Sequence, residues 1–147
     1  MGEQVIREAE PKDVAALVSM GQEFLRSTPY AALIADNPAQ MTALAEHLID
    51  QANGVVLVSD YDGTLTGMIG LMVAAHHLSA EPIAMEAFWW STSPGDGVRL
   101  LRASEQWARD HGAVAMQMVA PSDRVGALYS RMGYELIERG YMRRLDS

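Results

Sequence analysis

The chain predicts a single α/β domain with a mixed central sheet, and three observations carry that expectation. Its 147 residues suit one hydrophobic core. Strand-like and helix-like periods follow one another in the order β-α-α-β-β-β-α-β-α-β-β. No repeat, low-complexity stretch or linker interrupts them, so residues 1–147 read as one domain.

Each element has its own signal. Gln4 to Ala9 alternates apolar and polar residues as a short strand does. Pro11 suits a first helical turn, and Val14, Leu17, Val18, Phe24 and Leu25 carry a helix to about Arg26, where Ser27-Thr28-Pro29 breaks it. A second helix starts after Asn37-Pro38 and stops at Asn53-Gly54. Val55 to Val58 and Leu65 to Ala75 form a hairpin around Asp60-Tyr61-Asp62-Gly63. Ile83 to Trp90 is a further strand, followed by a loop from Ser91 to Gly97 and a long amphipathic helix closing at His111-Gly112. Ala113 to Val119 reads as a strand and Pro121-Ser122-Asp123 caps a short helix that Gly133 ends. Tyr134 to Ile137 and Tyr141 to Leu145, split by Arg139-Gly140, read as a last pair of strands.

Composition removes several function classes. There is no cysteine, which excludes a disulfide framework, a thiolate metal site and a cysteine nucleophile. The apolar runs fall far short of the ~20 residues that cross a bilayer, so no membrane span is expected. The opening residues lack a basic region followed by an apolar one, and a reducing cytoplasm is the expected location. A net charge of −8 argues against a nucleic-acid partner. That charge is unevenly spread: residues 1–98 sum to −10 and residues 99–147 to +2. The asymmetry reads either as two unlike ligands on different sides or as solvated surface. The histidines at 47, 76, 77 and 111 show no metal-ligand spacing, and no metal is expected. Ten methionines serve either as adaptable core filling or as a pliable pocket lining.

Three local patterns carry chemistry. Gly95-Asp96-Gly97-Val98-Arg99-Leu100-Leu101 is a glycine-containing turn before a long helix, where backbone N–H groups at the positive end of a helix dipole hold phosphates; glycines in an ordinary loop explain the same letters. Leu128-Tyr129-Ser130-Arg131-Met132-Gly133-Tyr134 sets a tyrosine on a short helix. Its phenol has a reference pKa of ~10, which suits protonating a departing thiolate, although core packing also explains it. Glu86 stands in the apolar strand Ile83 to Trp90. It either loses solvation there, which raises its pKa toward a general base's, or faces solvent.

Their order and spacing resemble the GCN5-related N-acetyltransferase (GNAT) family, in particular its small bacterial and phage-type members. Gly95-x-Gly97-x-x-Leu100-Leu101 resembles the end of the family's pyrophosphate loop, and Leu128-Tyr129-x-Arg131-x-Gly133-Tyr134 is similar to its second acetyl-CoA motif. Glu86 matches a glutamate that many members carry on the strand before the loop. The sequence departs from the family at Thr92, where a Gln or Arg is usual, at Ser122, where an asparagine is often found, and in a shorter stretch from Trp90 to Leu100.

The resemblance implies the acyl-CoA N-acyltransferase fold and an acetyl-CoA-dependent N-acetyltransferase acting on a small-molecule or peptide amine. Acetyl-CoA would lie between the strand at Phe88, Trp89 and Trp90 and the strand at Met116 to Val119. Gly95, Asp96, Gly97, Val98 and Arg99 would take the pyrophosphate, with Ser122 and Arg131 completing the coenzyme site, and a backbone N–H near Trp89 would hold the thioester carbonyl. Glu86 is implied as the base acting through a water, and Tyr129 as the acid. An acidic first half, Glu23 included, would attract a cationic amine. An exposed final strand would suit a homodimer.

Two alternatives differ in class. One is a GNAT-like domain that binds a ligand or partner without transferring acetyl, because fold alone does not fix function. The other is a phosphohydrolase: Val55 to Val58 followed by Asp60-Tyr61-Asp62-Gly63-Thr64-Leu65 resembles the first haloacid-dehalogenase motif. The only lysine, Lys12, lies upstream, and no later acidic pair follows with magnesium spacing.

Overall fold

Asp62 and Gly63 both take positive φ, 51° and 92°, and the Gly63 N–H donates to the Asp60 carboxylate at 2.6 Å. This doubly left-handed turn matches the twist of the strands that it joins, which is why Asp-Gly letters pick it out. The computed structural model, which describes residues 3–146, builds the sheet outward from this hairpin. Strand β2 (Gly54–Tyr61) pairs with β3 (Thr64–Ala75), with β1 (Gln4–Glu8) on one side and β4 (Pro82–Ser91) on the other, all antiparallel. A short β5 (Ala115–Gln117) adds to β4 in parallel, giving a five-stranded sheet in the order β1-β2-β3-β4-β5. Helices α1 (Val14–Arg26) and α2 (Pro38–Asp50) precede the hairpin, α3 (Pro94–Asp110) links β4 to β5, and α4 (Asp123–Arg131) follows β5.

The helices divide over the two faces of the sheet. On one face, Leu17 and Met20 of α1 and Ala45 and Leu48 of α2 bury Val56, Val58 and Met68. On the other, Leu100, Leu101 and Trp107 of α3 and Tyr129 of α4 bury Val55, Leu57, Ile69 and Leu71. Strands covered on both faces read as continuous apolar runs, as β2 does from Val55 to Val58.

Strand β4 does not keep one alternation. Gly70 faces Phe88 but Leu71 faces Glu86, so Ala87 is an extra residue with no partner in the ladder. This bulge flips the face of everything after it. Ala84 belongs to the core under α3, yet Phe88 and Trp90 pack against the α1/α2 side and Trp89 against the α3 side. The sheet also makes room for the Phe88 ring: a Cβ on Gly70 would lie 2.5 Å from Phe88 Cζ and 3.1 Å from Leu48 Cδ1. Gly70→Ala should therefore destabilise the domain by about 1–3 kcal/mol, read by chemical denaturation, because overpacking strains both neighbours. A stability equal to wild type would show that the ring moves aside freely.

Three expected boundaries change. Residues 94–97 form the first turn of α3 rather than a loop: the Ser93 side chain accepts from the Asp96 N–H at 3.4 Å and Pro94 occupies the first helical position. Proline there has no N–H to lose, so the Pro-Gly letters mark a helix start. Strand β5 spans three residues rather than seven, because a side chain takes the Val119 N–H that a longer ladder would have used. The last pair of strands is absent. After Gly133, at φ 92°, residues 134–146 carry no strand pairing. Leu136, Tyr141 and Leu145 stand 72%, 91% and 88% exposed. Three paired residues in β5 offer too short a template, and a lone hairpin is marginal in water. The homodimer reading therefore loses the paired final strand on which it rested. Among the described residues, no helix is long and apolar enough to cross a membrane.

Candidate active site

The parallel pairing of β4 and β5 ends at Met85 and Gln117, and beyond that point side chains span the gap between the strands. The Val119 N–H donates to Glu86 Oε1 at 2.9 Å, and the Tyr129 hydroxyl donates to the Val119 carbonyl at 3.1 Å. One residue of the chain thus holds the two groups that the sequence singles out as base and acid. Glu86 faces the α3 side because the bulge comes after it, and Tyr129 reaches the same place from α4, which Ser122 caps by accepting from the Val125 N–H at 3.3 Å.

Burial acts on both groups. It pushes the Glu86 carboxyl up to about 7, opposed only by the hydrogen bond from Val119. The Tyr129 phenol is raised by its burial, then by the charges of Glu86 and Tyr134, so it stays protonated at neutral pH. A carboxyl that titrates near neutrality beside a phenol that does not is a suitable base–acid pair.

Trp89 joins this pair to α3. Its ring stacks on Tyr129 with centroids 5.6 Å apart, and its Nε1–H donates to the Gly97 carbonyl at 3.1 Å. A Cβ on Gly97 would lie 2.9 Å from Ser91 Oγ and 3.4 Å from the Trp89 ring. Glycine at 97 is thus a packing requirement. Its N–H is already bonded to the Ser93 carbonyl at 3.1 Å, so it is not an open phosphate donor. Gly95 differs: it is exposed, and a Cβ there would meet only the Arg99 guanidinium, at 3.9 Å. Of the expected pyrophosphate loop, the structure leaves Gly95 and Arg99 outward.

Asp96 is turned the other way. It is 4% exposed, and its carboxylate accepts from Gln4, from the Thr66 hydroxyl at 2.6 Å and from Arg99 at 2.8 Å. Burial pushes this carboxyl up, but the hydrogen bonds from Thr66, Arg99 and Gln4 outweigh that and hold it below the usual range. Asp96 is therefore a structural anion, contrary to its expected place among the coenzyme contacts. Ser122 acts as a helix cap, Arg131 lies exposed in the last turn of α4, and Val98 is half-buried. Phe88 and Trp90 turn their rings to the α1/α2 side, away from Tyr129.

Sequence reasoning missed Gln4, Ser59, Thr66 and Val119. The signal for Ser59 and Thr66 was present, a polar letter inside an apolar strand, as at Glu86; Ser59 is fully buried and accepts from Gln4 and Thr66. Val119 contributes only its peptide, which no side-chain pattern reveals. A groove of about 1230 Å³ is walled by Met116 to Pro121, Tyr129 and the tail.

The phosphohydrolase reading fails on geometry. Asp60, its expected nucleophile, accepts from Arg7 Nε at 3.0 Å and from the Gly63 N–H, and Arg7 also grips Asp13 at 2.8 Å. The Arg7 hydrogen bond, then that of Gly63, holds the Asp60 carboxyl below the usual range. Both oxygens are committed to shaping the hairpin. Two acidic residues of the first half have partners of their own: Glu23 pairs with Arg26 at 2.6 Å and Asp36 accepts from Gln22 at 3.0 Å.

No family model and no curated protein matches the sequence. Solved structures do match over essentially the whole chain. An aminoglycoside N-acetyltransferase, AAC(6')-Iy, in complex with CoA superposes with a TM-score of 0.75 at 14% identity, covering 100% of this chain and 97% of that one. Ribosomal-protein-alanine N-acetyltransferase from Brucella melitensis gives 0.72 at 14% identity, covering 97% and 99%.

The chain has the GNAT fold. A transcriptional regulator from Bacillus halodurans matches as well, with a TM-score of 0.77 at 16% identity over 97% of this chain and 100% of that one. Identities this low carry the architecture, and the chemistry has to be argued from the site. Where the β4–β5 pairing ends, Glu86 and Tyr129 meet on Val119, and this is the candidate site.

Proposed function

We propose that the protein is an acetyl-CoA-dependent N-acetyltransferase that moves the acetyl group to a primary amine by direct attack. The observation that carries this reading is the convergence of Glu86 and Tyr129 on the N–H and C=O of Val119, where β4 and β5 diverge. CoA bound to AAC(6')-Iy supports the coenzyme, and the two acetyltransferases among the neighbours support an amine acceptor, small or peptidic.

In this reading Glu86, through a water, takes a proton from the ammonium form of the acceptor. The free amine attacks the thioester carbon, the carbon–sulfur bond breaks, and Tyr129 gives its proton to the leaving thiolate; the acylated nitrogen sheds one proton, which restores the phenol, yielding amide and free CoA. Tyr129 must first release the Val119 carbonyl, exchanging one hydrogen bond for another. The Ala87 peptide, outside the ladder at the bulge, is suited to receive the thioester oxygen as it gains charge, in place of the N–H expected near Trp89. Glu86 needs no metal or covalent partner in this scheme, because holding both reactants together supplies much of the acceleration.

A second reading has its own support. The Val119 N–H and C=O are both occupied and the Gly97 N–H is spent, which fits a domain that binds a partner without transferring acetyl. Calorimetric titration with acetyl-CoA, followed by a thiol-release assay over a panel of amines, separates the two. The transferase reading expects binding and thiol release that requires an amine; no binding at millimolar acetyl-CoA would overturn it.

A further inference from the structure

We infer that Asp96 is a positioning residue for the coenzyme's pyrophosphate: it holds the Arg99 guanidinium over Gly95, where that anion would rest. The inference builds on the transferase reading above. The expected cationic or amide side chain at the start of the loop is Thr92, and Thr92 is not free to bind. Its N–H and hydroxyl both donate to the Thr66 carbonyl, at 2.9 and 3.2 Å, extending the β3–β4 edge. Positive charge at this end of α3 has to come from elsewhere, and Arg99 is the guanidinium within 3.9 Å of the Gly95 Cβ position.

An exposed arginine on a helix samples many rotamers, and ordering it costs entropy on binding. Here that cost is met within the fold. Asp96 Oδ1 accepts from Arg99 at 2.8 Å, and Asp96 is itself fixed by Gln4 of β1 and by Thr66 of β3. Gln4 and Thr66 also both bond the buried Ser59 of β2. Three strands therefore anchor the carboxylate that anchors the guanidinium. About half of the Arg99 side chain remains exposed, at 54%, so it has a face left for a phosphate oxygen.

This arrangement has an unusual sign. A carboxylate near an anion site is repulsive on charge alone, so removing it should tighten coenzyme binding if Asp96 acts only through its charge. If Asp96 acts by positioning, removing it loosens binding instead.

Calorimetric titration of CoA into wild type, Asp96→Asn, Arg99→Gln and Thr66→Val tests this, with pantetheine, which lacks the pyrophosphate, as the second ligand. Arg99→Gln should weaken CoA binding roughly tenfold, the size of one charge-assisted phosphate contact. Asp96→Asn should weaken it roughly fivefold despite the lost negative charge, and the double variant should be no weaker than Arg99→Gln alone. Thr66→Val keeps the charge and removes one anchor, so it should shift CoA binding in the same direction even if Asp96→Asn does not fold. Pantetheine binding should be the same in every variant. CoA binding to Asp96→Asn that equals or exceeds wild type overturns the inference, as does equal weakening for pantetheine or full additivity in the double variant. Wild-type protein that fails to bind CoA overturns the transferase reading itself.

Discussion

Glu86→Gln should lower amine acetylation by ~10²-fold or more, the usual contribution of a general base, and at the same time make the protein more stable above pH 7. Both effects come from one cause. The carboxyl is pushed from 4.5 up to about 7 by burial, so the folded state favours its neutral form. The stability that this neutral form contributes is full below the unfolded value of 4.5 and is lost as pH rises through about 7. A gap of that size corresponds to at most roughly 3 kcal/mol, reduced by whatever water reaches the half-buried side chain. Glutamine keeps an oxygen for the Val119 N–H and never ionises. Denaturation at pH 5 should therefore find the two proteins alike, and at pH 8.5 should find Glu86→Gln the more stable. Activity of wild type should rise with pH through about 7, and that inflection should vanish in the variant. Wild-type turnover in Glu86→Gln would remove the base from the scheme.

Tyr129→Phe is the complementary experiment. The ring packs on Trp89 at 5.6 Å and on Tyr134 at 5.6 Å, and phenylalanine retains both contacts. Coenzyme binding should therefore change little, while kcat falls by ~10–10²-fold because the thiolate leaves without a proton donor. The variant should also lose about 1 kcal/mol of stability, since the Val119 carbonyl loses its donor. Because burial keeps the phenol protonated, wild type should show no loss of activity near pH 10 from Tyr129 ionisation. An unchanged kcat would refute the acid role, and a large loss of coenzyme affinity would recast Tyr129 as a packing residue.

Much of this was legible in the residues alone, and the parts that were not share a physical reason. The hairpin turn, the helix pair and the strand carrying Glu86 follow from local periodicity and turn chemistry, which depend on few distant contacts. The two chemical candidates were visible because an acid among Met, Phe and Trp, and a phenol before a helix-ending glycine, are conspicuous as letters. The bulge at Ala87 was not visible, since alternation along β4 alone cannot show an inserted residue; it depends on how Gly70 and Leu71 face the strand. The inward turn of Asp96 is hidden for a similar reason. Its letters, between two glycines, suit a ligand loop, and only the approach of Gln4 and Thr66 from distant strands turns the carboxylate inward. The tail after Gly133 alternates as a strand should, but a strand needs a partner edge, and β5 ends after three residues.

The alternative folds of meaning for the same site separate cleanly by experiment. A degenerate binding domain would keep the stability signature of Glu86 and show no turnover at any pH, because burial of the carboxyl does not require catalysis. The Asp60 motif offers no third option, since Arg7 and Gly63 hold both of its oxygens.

A crystal structure of the protein with CoA tests the arrangement at its centre. The pantetheine arm should lie between the ends of β4 and β5, with the sulfur within ~3.5 Å of the Tyr129 hydroxyl, which has let go of the Val119 carbonyl. CoA bound elsewhere, with the hydroxyl still on Val119 and the sulfur out of its reach, would contradict it.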